Sequence, residues 1–231
     1  KTTYGTGSSI MMNIGQKPVY SDRVVTSLAW KMNGQVNYVL EGNINYTGAV
    51  ITWLKDELKL ISSPSETEIL ANKANPGDRS YLVPAFSGLG APYWDSEASG
   101  ILTGITRTTG RAEIVRAGLE SIAYQITDVV NAMSEESGIK IQELRVDGGP
   151  TRNKYLMQFQ SDIADVTVQV PSAEELSGIG AAYAAGIAAG IFDREKVFSQ
   201  MTWTKFSPEM ELEVRNEKYQ GWKKAVKQVL T

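Results

Sequence analysis

The order of apolar and glycine-rich segments predicts an α/β fold. We expect a mixed sheet with a three-strand antiparallel meander, flanked by helices. Three observations carry that expectation. Residues 2–43 alternate apolar and β-favouring side chains between turn signals. Residues 111–137 repeat apolar side chains at spacings of three and four, as one buried helix face requires. Leu144-Arg145-Val146-Asp147-Gly148-Gly149-Pro150-Thr151-Arg152-Asn153 then reads as a short strand, an abrupt glycine turn and a helix start.

Each element has its own warrant. Thr2–Ile14 forms the first strand, around Gly5 and Gly7, and ends in the turn Gly15-Gln16-Lys17-Pro18. Val24–Met32 is the second strand, Asn33-Gly34 a tight-turn pair, and Val36–Leu40 the third. Strands joined by short turns run antiparallel. Gly48 precedes an amphipathic helix with Val50, Ile51, Trp53, Leu54, Leu58 and Leu60 on its apolar side. Pro64–Glu68 opens a shorter helix, in which Ser65 and Glu68 have capping-box spacing. Tyr81–Phe86 is a strand that Pro84 confines to an edge or an end. The loop Ser87–Asp95, rich in glycine and aromatics, either covers a site or packs on the surface. Ile101–Ile105 is a short strand. The helix Arg111–Ser137 follows, with Val115, Leu119, Ile122, Ile126, Val129 and Met133 toward the core. Beyond the glycine turn a helix covers about 151–164, with Thr151 as its cap and Pro150 at its start. Val166–Val170 is a strand, and Leu176–Ala189 a buried helix. Pro208–Leu230 is a final helix anchored by Leu212, Val214, Tyr219, Trp222 and Val226. Lys218, Lys223, Lys224 and Lys227 form its solvated face.

Composition removes several chemistries. At 231 residues, 42% hydrophobic and 21% charged, the chain is globular, with a core for one large domain or two small ones. A net charge of -3 argues against a nucleic-acid partner held by broad electrostatics. The absence of cysteine excludes disulfides and thiolate chemistry. The absence of histidine removes the usual metal ligand and general base, and no metal ligand is assigned. Catalysis would have to use carboxylates, Lys, Tyr or positioning. The apolar run 178–192 is too short to span a bilayer, so no membrane partner is expected. The chain opens Lys1-Thr2-Thr3-Tyr4, with neither an initiator Met nor a signal-peptide pattern. It reads as a piece of a longer, cytoplasmic protein.

Two glycine segments could carry chemistry. In Gly5-Thr6-Gly7-Ser8-Ser9, glycines let a ligand approach the backbone, and hydroxyls and N–H groups can cradle phosphate oxygens. No Gly-Lys-Ser/Thr follows, so this is no Walker loop, and the dinucleotide spacing is absent. Alone it reads as a hairpin with a β-bulge. At Gly148-Gly149 the missing Cβ atoms admit a flat or charged ligand, and a helix start favours phosphate. Alone that is an ordinary strand-to-helix turn, with Asp147 as a turn former.

Together, and in this order, the two segments resemble the actin-like ATPase (ribonuclease H-like) fold. The resemblance narrows to the FGGY carbohydrate kinase family, and within it to the glycerol kinase branch. It rests on Tyr4-Gly5-Thr6-Gly7, Gly88-Leu89-Gly90-Ala91-Pro92-Tyr93-Trp94-Asp95, Leu144–Gly149, Leu156-Met157-Gln158-Phe159-Gln160-Ser161-Asp162-Ile163, Gly180-Ala181-Ala182-Tyr183 and Gly221–Val226. Gly100–Ile105 through Leu119-Glu120 follows the family's C-terminal signature, with Gly118 an unusual small residue. These segments cover nearly the whole chain.

The resemblance implies that residues 1–231 are the C-terminal, nucleotide-binding lobe of a two-lobe kinase. Such an enzyme moves the γ-phosphoryl of ATP, with Mg2+, onto a hydroxyl of a small polyol or sugar. By position, Thr6 and Gly7 would contact phosphates, and Gly48 and Thr52 would lie along the nucleotide. Gly148, Gly149 and Asn153 would hold the adenosine end. The catalytic base and most of the substrate pocket would lie in the N-terminal lobe, so no catalytic residue is assigned here, Asp95 and Asp147 included. The lobe's partners would be that N-terminal lobe and, in dimers or tetramers, further copies.

Three departures bear on the acceptor. Ser9 stands where glycerol kinases carry an aromatic packed on the substrate, Thr52 where Gln is commoner, and Glu175-Leu176-Ser177-Gly178 is closer to other branches. Ser9 leaves space and a hydroxyl, which points to a larger acceptor such as a tetritol, pentitol or ketose like xylulose. A rival of another class is an actin-like regulatory or chaperone lobe with no small-molecule substrate.

Overall fold

In the computed structural model of the chain, all residues are described except 33, 174–175, 194 and 198–200. Asn33 of the tight-turn pair and Glu175 of the divergent segment therefore lie outside the described residues. Strand β1 (Thr2–Tyr4) turns at Gly5-Thr6-Gly7 into β2 (Ser8–Gly15). Two further strands follow, β3 (Val25–Met32) and β4 (Gln35–Ile44). The predicted antiparallel block is present, with two corrections. The span 2–14, read above as one strand, is divided at the Gly5-Thr6-Gly7 hairpin. There Gly5 N–H donates to the Gly7 carbonyl at 2.8 Å. In addition, β4 lies between β2 and β3, with Ser9 opposite Asn43 and Thr26 opposite Leu40. The connection 16–24 is too long to impose a hairpin on β2 and β3, and β4 takes the inner place.

The sheet continues on the other side of β1. Strand β7 (Glu143–Asp147) pairs parallel with β1 and with β8 (Thr167–Pro171), and β8 pairs antiparallel with β9 (Trp203–Phe206). Among the described residues the strand order is β3-β4-β2-β1-β7-β8-β9. Strands β5 (Tyr81–Val83) and β6 (Ile101–Thr103) form a separate pair, and Pro84 ends β5 as expected.

Among the described residues six helices pack around this frame: α1 (Gly48–Asp56), α2 (Glu66–Lys73), α3 (Arg111–Ser137), α4 (Lys154–Ala164), α5 (Leu176–Ala188) and α6 (Leu212–Lys227). The core centres on α3. Its Leu119, Ile122, Ile126, Val129 and Met133 are buried together with Ile10, Leu40, Leu144 and Val146. Burial of one such side chain contributes about 1.5–3 kcal/mol. The helix begins where the Glu113 carboxylate accepts the Gly110 and Asn75 N–H groups at 2.9 and 2.8 Å. Gly118 lets α3 approach α1, since a Cβ there would come within 2.9 Å of Leu54 Cδ1.

Alternation along the strands sorts two faces. Thr2, Tyr4, Ile10 and Val146 turn inward, and the Tyr4 hydroxyl reaches Gln160 on α4 at 3.0 Å. Lys1, Thr3, Ser9 and Asp147 therefore stand on the opposite face.

Three helix expectations need correction. α4 starts at Lys154, after a single 3-10 turn (Gly149–Arg152), and Asn153 caps it in place of Thr151, accepting the Leu156 N–H at 2.9 Å. Thr151 is engaged elsewhere, its hydroxyl donating to the Gly148 carbonyl. Helix α5 is not buried in this chain: Gly186 is its one buried residue, because no element of the chain covers its outer side. On α6, Leu212 and Val214 are 58% and 40% exposed, so Trp222, Ala225 and Val226 do the anchoring. Nor are Lys218 and Lys223 a free solvated face. Lys218 Nζ lies 3.5 Å from Glu120, and Lys223 Nζ lies 3.7 Å from Asp128.

Asp128 explains how α6 is held, and no sequence pattern marked it. It is 2% exposed and accepts hydrogen bonds from Tyr93 Oη at 2.8 Å, Tyr219 Oη at 2.6 Å and Trp222 Nε1 at 2.7 Å. Burial pushes its carboxyl above the usual carboxylate range, against the opposing pull of Lys223 and these donors.

Two outcomes follow from this architecture. Gly148 has φ 102°, and a Cβ there would lie 1.9 Å from the Tyr4 carbonyl oxygen. Gly148→Ala should therefore cost about 3 kcal/mol or more in urea unfolding. For Asp128 the folded value exceeds the unfolded one, so folding takes up a proton. Its contribution is full below the ordinary carboxylate value and declines as pH rises through the folded value. Wild type should lose stability relative to Asp128→Asn as pH rises above the ordinary carboxylate value, and parallel curves would contradict this.

Candidate functional site

The two glycine segments meet because β1 pairs on both edges. Thr3 faces Ser9 on β2 and Asp147 on β7, so the Gly5-Thr6-Gly7 hairpin and the Gly148-Gly149 turn leave the same end of the sheet. The hairpin is pinned to the start of α1. The Thr6 carbonyl accepts the Thr47 and Ala49 N–H groups at 2.9 and 3.0 Å, and the Gly5 carbonyl accepts the Gly48 N–H at 2.9 Å. A side-chain bond of 2.7 Å between Ser8 and Thr47 reinforces the joint. At Gly7 a Cβ would fall 2.4 Å from the Ile44 carbonyl, so the turn tolerates no larger residue. The Thr6 side chain is exposed at the tip.

Beside the joint lies a cavity of about 620 Å³ between α1, α2, α3 and α4. Gly48 and Thr52 form one side, Gly149 and Asn153 the other, and Ser65 and Thr67 the α2 side. Leu119, Ile122 and Leu156 supply an apolar floor. A pocket of this size, mostly apolar with a few polar groups, suits a small-molecule ligand.

Four of the predicted ligand residues, Gly48, Thr52, Gly149 and Asn153, thus line one cavity. Thr6 and Gly7 stand next to it through the hairpin's bonds to Gly48. Gly148 lies behind it, packed on the Tyr4 carbonyl. Ser9 does not line it and faces the other side of the sheet. Asn153 has a structural duty as well as a place in the wall: besides capping α4, its Nδ2 donates to Thr67 Oγ1 at 3.0 Å.

The α2 side escaped the sequence reading because its Ser-x-x-Glu pattern signals a cap. Ser65 makes no capping bond, and Glu68 instead accepts the Lys154 N–H at 3.0 Å. Glu66 closes that helix start, taking the Ser62 N–H and hydroxyl at 2.8 and 2.9 Å. Asp147 is likewise no turn former. Its Oδ2 pairs with Lys1 Nζ at 3.2 Å, while the turn closes through Thr151 bonds to the Gly148 carbonyl.

The loop 87–95 is tied down on both flanks. Tyr93 reaches Asp128, and the Asp95 carboxylate accepts N–H groups of Thr231, Glu97 and Ala98, which hold its carboxyl below the usual range. Among the described residues no group of three acidic, His or Cys side chains could hold a metal ion. No described helix is long and apolar enough to cross a membrane.

Known proteins share this arrangement. The profile of the FGGY family of carbohydrate kinases, C-terminal domain, matches residues 1–189. Glycerol kinase of Natranaerobius thermophilus is 49% identical over 234 residues, covering 100% of this chain and 47% of that protein. Glycerol kinase of Staphylococcus epidermidis is 47% identical, covering 98% and 46%. The chain thus spans about half the length of these relatives. The crystal structure of Plasmodium falciparum glycerol kinase with ADP superposes with a TM-score of 0.93 at 38% identity, over 100% of this chain and 47% of that one. Xylulose kinase from Lactobacillus acidophilus has the same fold, with a TM-score of 0.80 at 20% identity over 98% of this chain and 46% of that one. This chain belongs to the FGGY family of carbohydrate kinases.

Proposed function

We propose that the chain is the nucleotide-binding, C-terminal lobe of a two-lobe kinase. The enzyme moves the γ-phosphoryl of ATP onto a hydroxyl of a small polyol or sugar, as a glycerol kinase does. One observation carries this reading: the 620 Å³ cavity opens between two glycine turns that a single short strand holds side by side. A flat base enters between Gly149, Asn153 and the α2 side. The phosphates run past Gly48 and Thr52 toward the Gly5-Thr6-Gly7 tip, where the Thr6 hydroxyl has no protein partner among the described residues. The ADP-bound Plasmodium falciparum relative supports a nucleotide as the occupant.

Mg2+ would accompany the phosphates, but among the described residues no acidic cluster fits it as a cage. The family resemblance puts the catalytic base in the N-terminal lobe, and it fits that reading that Asp95 accepts N–H groups within this lobe and Asp147 Oδ2 pairs with Lys1. That missing lobe is also the natural cover for α5, a helix of mostly Gly, Ala and Ile that lies open here. Positioning and charge neutralisation dominate phosphoryl transfer, so lobe closure over aligned reactants is the step this half serves. An ATP-using enzyme of this kind belongs in the cytoplasm.

A second reading within the family, a kinase for a larger polyol or a ketose, is favoured by Ser9 on the open sheet face. The regulatory or chaperone reading requires nucleotide binding with no acceptor. A phosphorylation panel with glycerol, longer polyols and ketoses, run on the complete protein, separates them: transfer to none of these would leave the regulatory reading standing.

Two results test the lobe itself. ADP should raise the melting temperature of the 231-residue chain, without phosphoryl transfer by that chain alone. In addition, a Cβ at Gly149 would meet nothing within 4 Å of protein, so Gly149→Ala should leave the unfolding midpoint unchanged. It should nevertheless weaken ADP binding about tenfold, about 1.4 kcal/mol by calorimetry. Unchanged affinity would place the nucleotide elsewhere.

A further inference from the structure

A second cavity, of about 520 Å³, lies beside the nucleotide cavity, beyond the bond between Glu68 and the Lys154 N–H. Side chains of α2, α4 and α6 form its walls, Phe206 and Met210 add to one side, and Glu120 comes from α3. Glu68 is the one described residue that lines both cavities.

The inner charges of this cavity are already matched within its own wall. Glu120, 4% exposed, accepts from Tyr155 Oη at 2.6 Å and lies 3.5 Å from Lys218 Nζ. Asp162 Oδ1 accepts the Glu209 and Met210 N–H groups at 2.7 and 3.2 Å and Gln158 Nε2 at 3.0 Å. A phosphorylated or strongly cationic ligand would compete for these partners and leave a buried charge unpaired, which is costly. A neutral ligand leaves the pairing intact.

Nearer solvent the lining offers groups that a ligand can reach. Asn72 and Lys154 are exposed, and Glu68 and Gln158 are half-buried. Together they present amide and ammonium donors beside carboxylate and amide acceptors. A hydroxyl both donates and accepts, so a ligand with several hydroxyls uses both kinds of group at once. Phe159, Phe206 and Met210 supply an apolar wall for its carbon skeleton, and the volume falls in the range of small-molecule sites.

We infer that this cavity is a regulatory site for a neutral polyhydroxylated ligand, a monosaccharide or a linear polyol. Glu68 couples it to the nucleotide cavity, a step that rests on the nucleotide reading above. The Glu68 carboxylate accepts the Lys154 N–H at 3.0 Å, one residue after Asn153, which caps α4 and lines the nucleotide cavity. A ligand held by Glu68 and Lys154 fixes the α2–α4 joint in the arrangement the nucleotide contacts. Sugar and nucleotide therefore strengthen each other's binding, since coupling between two sites is reciprocal.

The test is calorimetric titration of the complete protein with ADP, alone and with D-glucose, D-xylose or D-glucitol present. At least one of these probes should bind and tighten ADP by about fivefold. Asn72→Trp, from an exposed position at the cavity, should abolish that gain. Its ADP affinity without sugar, and its unfolding midpoint, should stay at the wild-type values. The inference falls if no probe tightens ADP, or if Asn72→Trp keeps the full gain. Absence of ADP binding in wild type would instead remove the nucleotide reading. Direct binding of a probe, and its loss in Asn72→Trp, would then still decide the cavity's role.

Discussion

The molecule depends on a three-residue strand that is paired on both edges. β1 bonds antiparallel to β2 and parallel to β7, and this alone brings the residue 5–7 hairpin to the residue 148–149 turn. The contact is tight enough that Gly148 leaves no room for a Cβ against the Tyr4 carbonyl. Each turn then fixes a helix. The hairpin carbonyls take the first N–H groups of α1, and the glycine turn leads through Asn153 into α4. The cavity between those helices is therefore set by backbone bonds, and rotamer choice has little say in its shape.

Satisfied and unsatisfied polar groups divide the molecule by role. Deep in the core, Asp128 gathers two phenols, an indole and an ammonium, and Glu113 takes two backbone N–H groups. Such closed networks hold α6, the 87–95 loop and the start of α3 in place. The orphaned oxygens of Ser9 and Asp147 lie instead on the open sheet face. That contrast separates the groups closed within the core from these two, which the described residues leave unsatisfied.

The sequence was legible where structure is local. The period of α3, the end of β5 at Pro84 and both glycine turns are set by a few adjacent residues, and all were readable. Four of the seven nucleotide positions expected from the family resemblance line a single cavity. Contacts between distant segments were not readable. Nothing in residues 16–44 states that β4 takes the place beside β2, because the long connection leaves both orders open. Asp128 is an ordinary acidic residue until Tyr93, Tyr219 and Trp222 converge on it. Asn153 outranks Thr151 as a cap because the extra 3-10 turn moves the helix start past Thr151. The apolar α5 was read as buried, and its exposure here reflects a surface that this chain alone does not cover.

The most direct test of the central claim is a crystal structure of the chain with ADP. Adenine should lie between Gly149, Asn153 and the α2 residues Ser65 and Thr67, with the β-phosphate directed at the Thr6 hydroxyl. ADP seated outside this cavity, or inside it with its phosphates turned away from residues 5–7, would contradict the account.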